Sequence, residues 1–326
     1  ALLDGAIDFE DALAQGSPDG PPVVPSPDDL YVLYTGGTTG MPKGVLWRQH
    51  DIFMSAMGGR TVGTWDELGS YDELRAKVAA SGGGAIMILP PLMHGAAQWG
   101  AFAASTGGMT LVFPGRVEGM DPVDVLRTIE RRQVSVLMAV GDAVARPLVD
   151  ELEGGDYDIS SLFALANGGA ALTAAIKERF IEQQPGLLII DGVGSSETGA
   201  QMSHISTKGA VDTGTFSPNA QTAVVKADLS GLETEGHADP GWLAQRGLVP
   251  LGYKGDADKT ARTFPVIDGT RYAIPGDRAE LLTGGDIKLL GRDAVTINTG
   301  GEKVFAEEVE MAIASHPAIK DVIVTG

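Results

Sequence analysis

The sequence predicts an α/β fold followed by a smaller β-rich unit, and three observations carry that reading. Short apolar runs alternate with helical patterns from Leu30 to about Glu197. From about Val211 to Leu290 the helical patterns give way to short strands punctuated by Gly, Asp and Pro. With 326 residues the chain has room for two domains, which usually run to roughly 100–200 residues each.

The opening segment, residues 1–29, ends in the Pro-rich "SPDGPPVVPSPDD", a connector that cannot continue a helix. Strand candidates follow in "LYVLY" from Leu30, "AIMIL" (Ala85 to Leu89), "MTLVF" (Met109 to Phe113), "VSVLMAV" (Val134 to Val140), "LFALA" (Leu162 to Ala166) and "LLII" (Leu187 to Ile190). Between them, "DPVDVLRTIERRQ" opens with Asp121 as N-cap and Pro122 at the first helical position. "LTAAIKERFIEQQPG" places Thr173 as a cap and stops at Pro185 and Gly186. This alternation favours parallel pairing. The expected organisation is a connector (1–29), an α/β unit (30–210), a β-rich unit (211–292) and a closing piece (293–326) read as a helix, a turn at Pro317 and the start of a strand. Without an initiator methionine, "ALLDGAIDFEDALAQG" reads as the middle of something larger.

Composition excludes several classes. Apolar residues at 43% and charged residues at 21% are ordinary for a globular chain, and no apolar run approaches the roughly 20 residues that cross a bilayer. A formal charge of −19 repels a nucleic-acid backbone, so a polyanionic ligand needs local cations or metal. Zero cysteines exclude disulfides, thiolate metal sites and a cysteine nucleophile, and are compatible with a cytoplasmic location. The histidines show no His-Glu-x-x-His spacing, and Ser195 and Ser196 lack the glycines of a Gly-x-Ser-x-Gly elbow. Zinc hydrolysis and serine hydrolysis are therefore disfavoured.

The stretch "YTGGTTGMPKG" (Tyr34 to Gly44) is the densest chemical signal. A strand feeding a Gly/Thr-rich turn and then an amphipathic helix can surround phosphate with backbone N–H groups. Thr35, Thr38 and Thr39 add hydroxyls, Gly36, Gly37 and Gly40 permit close approach, and Lys43 supplies a mobile charge. By itself the segment fits either a phosphate cradle or a Gly-rich connector with a solvated lysine. It is not a Walker loop, because Met41 and Pro42 separate Gly40 from Lys43.

"YTGGTTGMPKG" resembles the phosphate-binding signature of the adenylate-forming superfamily, which includes acyl-CoA synthetases, peptide-synthetase adenylation domains and luciferases. Further matches stand in the family's order: "PPLMHG", "NGGAAL", "DGVGSSETG", "YAIPGDRAE" and "GRDAVTINTGGEKVFAEEVE". The likeness is greatest to actinobacterial-type fatty-acyl and sterol-side-chain acyl-CoA synthetases. It implies a partial copy of the family's layered α/β N-terminal domain, a smaller β-rich subdomain and only the beginning of its α+β C-terminal domain.

The resemblance also implies roles. Glu197, otherwise a solvated loop acid, would hold Mg²⁺ on the triphosphate. Gly168, Gly169 and Ala170 would border the adenine and acyl pockets, and Asp191, Gly192, Val193, Gly194, Ser195 and Ser196 would continue the nucleotide site. Asp277, otherwise a turn aspartate, would accept both ribose hydroxyls, with Arg292 as a second contact and Asp293 as the hinge. His94, otherwise a satisfied histidine, would guard the acyl or pyrophosphate side. Trp99 and Phe102 suit a core better than an acyl tunnel. Gly36 stands where the family has Ser, Val193 where it often has an aromatic, Ser196 where it has Thr, and Pro275 where it has Thr.

The implied reaction joins a small-molecule carboxylic acid to ATP, giving acyl-AMP and pyrophosphate, after which coenzyme A displaces AMP. "PPLMHGAAQWGAF" offers no acid for a substrate ammonium, so a non-amino acid is preferred. The sequence ends before the family's C-terminal lysine. A catalytically silent nucleotide-binding module, an acyl-AMP ligase serving a carrier protein and a homodimer all stay open.

Overall fold

The computed structural model describes all residues except 1–3, 18, 21–22, 37–41, 61–65, 117, 238, 299–302, 315, 317–318, 320–321 and 326. A short helix, α1 (Phe9–Gln15), buries nothing and is held at its start by the Asp8 carboxylate, which accepts from Glu10 N–H. The first two strands, β1 (Leu30–Thr35) and β2 (Lys43–Arg48), pair antiparallel from Leu30↔Arg48 to Thr35↔Lys43. The Gly/Thr-rich segment therefore joins two strands, correcting the expected strand-turn-helix order. Val45 and Trp47, two residues apart and both 0% exposed, give Lys43–Arg48 the period of a strand with one buried face. Only after Arg48 does helix α2 (Gln49–Ala56) begin.

Beyond α3 (Tyr71–Ala80), the expected alternation appears: β3 (Ala85–Ile88), α4 (Gly95–Thr106), β4 (Thr110–Val112), α5 (Pro122–Arg132), β5 (Val136–Ala139), α6 (Gly141–Gly154), β6 (Ala164–Gly168), α7 (Ala174–Gln183) and β7 (Leu188–Ser195). These five strands lie in the order β4-β3-β5-β6-β7, each pair parallel. Asp121 caps α5, accepting from the N–H groups of Val123 and Asp124. Thr173 occupies the cap position of α7 but makes no capping bond; its hydroxyl donates instead to Asp142 Oδ2 at 2.9 Å. Leu126, Ile129, Leu148, Ile176 and Phe180 seat α5, α6 and α7 on Leu137, Leu165 and Ile189 of the sheet.

The sheet then changes direction. β8 (Gly199–Ser206) turns back antiparallel on β7, and β9 (Thr215–Pro218) pairs antiparallel with β8. β10 (Thr222–Val225) and β11 (Gly241–Arg246) form a hairpin, and β12 (Gly252–Tyr253) returns to pair with β2. After α8 (Ala257–Thr263) come β13 (Val266–Ile267), β14 (Thr270–Ala273), β15 (Asp277–Leu281) and β16 (Ile287–Arg292). β16 pairs with β9, so among the described residues one sheet of thirteen strands runs through both halves of the chain. The division expected at residue 210 falls in the β8–β9 connection. α9 (Ala306–Ala314) lies against β16, where Lys288 and Glu308 meet at 2.6 Å. The turn expected at Pro317 lies outside the described residues, and residues 322–325 form no strand. Among the described residues no helix is long and apolar enough to cross a membrane.

Phe180 is 1% exposed and joins α7 to the sheet core. Phe180→Ala should cost about 3–5 kcal/mol of unfolding free energy by urea denaturation. A loss below about 1 kcal/mol would mean that this core is not packed as described.

Candidate functional site

A cleft of about 520 Å³ opens at the carboxyl ends of β6 and β7. Its volume lies within the roughly 300–1,000 Å³ of small-molecule sites, and its place at the edge of the parallel strands is where open α/β sheets bind ligands. One wall is the turn after β6 with Gly169 and Ala170, the floor is β7 from Asp191 to Gly194, and Asp277 and Arg292 form the opposite wall.

The turn is built on Asn167. Its buried carboxamide accepts from Gly141 N–H at 2.7 Å and donates to Ala170 O at 3.1 Å and Asp191 Oδ1 at 2.9 Å. Gly169 follows with φ +83°, a conformation that costs a residue with a Cβ but not glycine.

At the end of β7 the register with β8 shifts between Val193 and Gly194, a bulge that re-aims the residues after it. A Cβ on Gly194 would collide with the Gly199 carbonyl, so glycine is required there. The following turn is fixed by small hydrogen bonds: Thr198 Oγ1 accepts from Ser195 N–H at 2.9 Å, and Trp47 Nε1 donates to Ser196 O at 2.8 Å. Glu197 consequently points inward, 8% exposed, and accepts from the Tyr253 hydroxyl at 2.6 Å. Burial, then the Glu197 charge, push the Tyr253 hydroxyl pKa up, keeping it a donor.

Asp277 and Arg292 face each other across β15 and β16, with Arg292 Nε 2.8 Å from Asp277 Oδ1. Burial raises the Asp277 pKa, Arg292 pulls it down, and Glu307 and Glu197 raise it further. Glu197 is thus an electrostatic neighbour of the cleft although it does not line it.

The cleft gathers Gly169, Ala170, Asp191, Gly192, Val193, Gly194, Asp277 and Arg292 from the residues expected to bind nucleotide. Gly168, Ser195 and Ser196 sit beside it without lining it. Thr35, Gly36 and Lys43 stand on the β1–β2 hairpin and are not among the lining residues, while Gly37, Thr38, Thr39 and Gly40 lie outside the described residues. The Lys43 ammonium pairs with Asp256, whose carboxyl pKa it lowers. A Cβ at Gly36 would meet nothing within 4 Å, so crowding does not exclude the family's serine. His94 is the exposed residue before α4 and makes no capping bond. Trp99 packs with Leu33, Trp47 and Ile52 in the core, whereas Phe102 is exposed.

Sequence reasoning missed Tyr253 and Asp256, the partners of Glu197 and Lys43. Both lie in "GYKGD" (Gly252 to Asp256), which the return of β12 to β2 brings to those partners.

Fold and cleft define an α/β protein with a cleft of small-molecule size at the ends of its parallel strands. Residues 2–248 match the AMP-binding enzyme family, and the chain belongs to that family. It is 62% identical over 325 residues to the medium-chain acyl-CoA ligase Mig of Mycobacterium avium, covering 100% of this chain and 59% of that protein. It is 42% identical over 331 residues to a medium/long-chain-fatty-acid and 3-oxocholest-4-en-26-oate CoA ligase of Mycolicibacterium smegmatis, covering 99% of this chain and 59% of the relative. The chain thus spans about 59% of the length of these curated relatives. Among solved structures, ATP-bound MatB from Rhodopseudomonas palustris shares the fold with a TM-score of 0.77 at 21% identity, over 99% of this chain and 60% of that one.

The Asp277–Arg292 pair makes a testable electrostatic statement. A carboxyl whose folded pKa is raised contributes stability that is lost as pH rises through that pKa. Arg292→Met removes the one group that lowers the Asp277 pKa, so its stability relative to the parent should fall as pH rises from about 4 to 7. Asp277→Asn in the same background should flatten that difference. Urea midpoints across the range check it, and parallel curves for parent and Arg292→Met refute the coupling.

Proposed function

We propose that this chain is the nucleotide- and acid-binding part of an AMP-forming acyl-CoA ligase acting on a medium- to long-chain or sterol-side-chain carboxylic acid. The observation that carries this reading is the single cleft joining the Asn167–Ala170 turn, the Asp191–Gly194 floor and the Asp277–Arg292 pair, in a chain 62% identical to a medium-chain acyl-CoA ligase.

A carboxylate is a poor electrophile because oxide is a prohibitive leaving group. In the proposed reaction a carboxylate oxygen attacks the α-phosphorus of ATP, the bond to the bridging oxygen breaks, and pyrophosphate leaves. The thiolate of coenzyme A then attacks the acyl carbon of the mixed anhydride and AMP departs. Adenosine occupies the cleft, with its base between the Gly169–Ala170 turn and Val193 and its ribose hydroxyls donating to Asp277. Lys43 exchanges Asp256 for a phosphate oxygen, and Arg292 steadies the ribose acceptor.

The residues suit Mg²⁺ carried by the nucleotide. Among the described residues no three His, Cys, Asp or Glu side chains cluster as a metal cage, and Glu197 offers a hard oxygen beside the cleft. Bound there, Mg²⁺ would neutralise phosphate charge. Tyr253 holds the carboxylate in place.

Calorimetric titration with ATP, with and without Mg²⁺, tests the binding half. Asp277→Ala should weaken ATP binding by about 1.5–3 kcal/mol, the worth of hydrogen bonds to a charged acceptor. ATP and its 2′,3′-dideoxy analogue should then bind that variant alike; equal binding of both by the parent argues against the ribose role. Glu197→Ala should reduce the gain in ATP affinity that Mg²⁺ provides, and an unaltered gain rejects the metal assignment. For the chemistry, the whole protein should release pyrophosphate on addition of a medium-chain fatty acid but not of an amino acid.

A further inference from the structure

The nucleotide reading leaves one buried cation at the cleft without a task. Lys177 on α7 is only 1% exposed, yet its side chain reaches the cleft lining. Its Nζ lies 2.7 Å from Asp191 Oδ2, donates to Asp212 O at 2.5 Å and reaches Thr213 Oγ1 at 3.3 Å. The approach to Oδ2 has the distance of an ion pair but not the alignment of a hydrogen bond, and Oδ2 is otherwise without a hydrogen-bond partner.

Removing an ammonium from water is offset only when its protons find acceptors, and a methionine would fill the same volume more cheaply. The acceptors it finds are informative. Asp191 belongs to the floor, while Asp212 and Thr213 belong to the segment that forms the cleft's lip. That segment continues to Gly214, whose carbonyl accepts from Leu289 N–H on β16 at 2.8 Å. β16 ends at Arg292, the partner of Asp277. The ammonium is therefore the knot between the floor and the wall that carries Asp277.

We propose that Lys177 is a positioning residue of the cleft, its ammonium clamping the Asp212–Thr213 lip to the floor at Asp191 and so setting the spacing between Asp191 and the Asp277–Arg292 wall. The simpler alternative is that the lysine only balances a buried carboxylate. The two differ in what happens when both charges are removed.

The test compares the parent, Lys177→Met, Asp191→Asn and the neutral pair Lys177→Met/Asp191→Asn. Urea denaturation reports the fold, hydrogen–deuterium exchange of a peptide spanning residues 207–216 reports the lip, and calorimetry reports ATP affinity. The neutral pair should recover the urea midpoint lost in Lys177→Met, while the lip still exchanges faster than in the parent because its acceptors have lost their donor. ATP should bind the neutral pair about tenfold more weakly than it binds Asp191→Asn alone. Should Lys177→Met fail to fold, the neutral pair still gives both comparisons. Parent-like exchange at the lip, or an ATP affinity within about twofold of Asp191→Asn, overturns the proposal. The ATP arm rests on the proposed nucleotide site: if the parent itself binds no ATP, that reading falls, and lip exchange alone decides the role of Lys177.

Discussion

The cleft depends on the carboxamide of Asn167, the group that ties together the start of α6, the turn after β6 and the carboxylate on β7. Its oxygen takes the Gly141 N–H and its two protons go to Ala170 O and Asp191 Oδ1. In a low-dielectric interior each of these partners would be costly to leave unmet, so the helix start, the turn and the strand hold one arrangement. An apolar residue of similar size would orphan all three at once. The turn's geometry, and with it the width of the cleft beside Val193, follows from that side chain.

Departures from the family's pattern acquire physical meaning against this frame. Val193, where an aromatic often stands, is half-buried and packs against the cluster of Met202, Phe216 and Leu243, so its aliphatic face belongs to the core as well as to the cleft. Pro275 precedes Gly276, which has φ +111°, and Gly276 O accepts from Asp293 N–H at 3.0 Å. A proline followed by a glycine at positive φ is a pair that tight turns favour. The turn before Asp277 therefore needs no threonine to hold it, and its carbonyl anchors the residue expected to act as hinge.

Much of the fold was legible because its strands and helices announce themselves locally. Asp121 and Pro122 mark the start of α5, and β3, buried throughout, and β5, buried at alternate positions, appear as short apolar runs ended by Pro90 and Gly141. Lys43–Arg48 was misread because a glycine-rich segment followed by a lysine suggests a helix N-terminus, while the alternation of Val45 and Trp47 that makes it a strand spans few residues. Thr173 has the chemistry of a cap, but Asp142, 31 residues away in sequence, claims its hydroxyl. At the site, the resemblance of "NGGAAL", "DGVGSSETG" and "YAIPGDRAE" to the family's motifs marked the Gly169–Ala170 turn, Asp191 and Asp277. Tyr253, Asp256 and Lys177 carried no such mark, because long-range pairing rather than spacing brings them to their partners.

The unbroken ladder through β7, β8, β9 and β16 has a consequence for how the chain can be divided. Cutting between β8 and β9 would strip both pieces of a partner and leave two bare strand borders, each a template for adhesion to other chains. An insertion placed between β10 and β11 interrupts no such border, since those strands already close on each other as a hairpin. Grafts and fusions are thus better carried on that excursion than at the place where composition changes along the sequence.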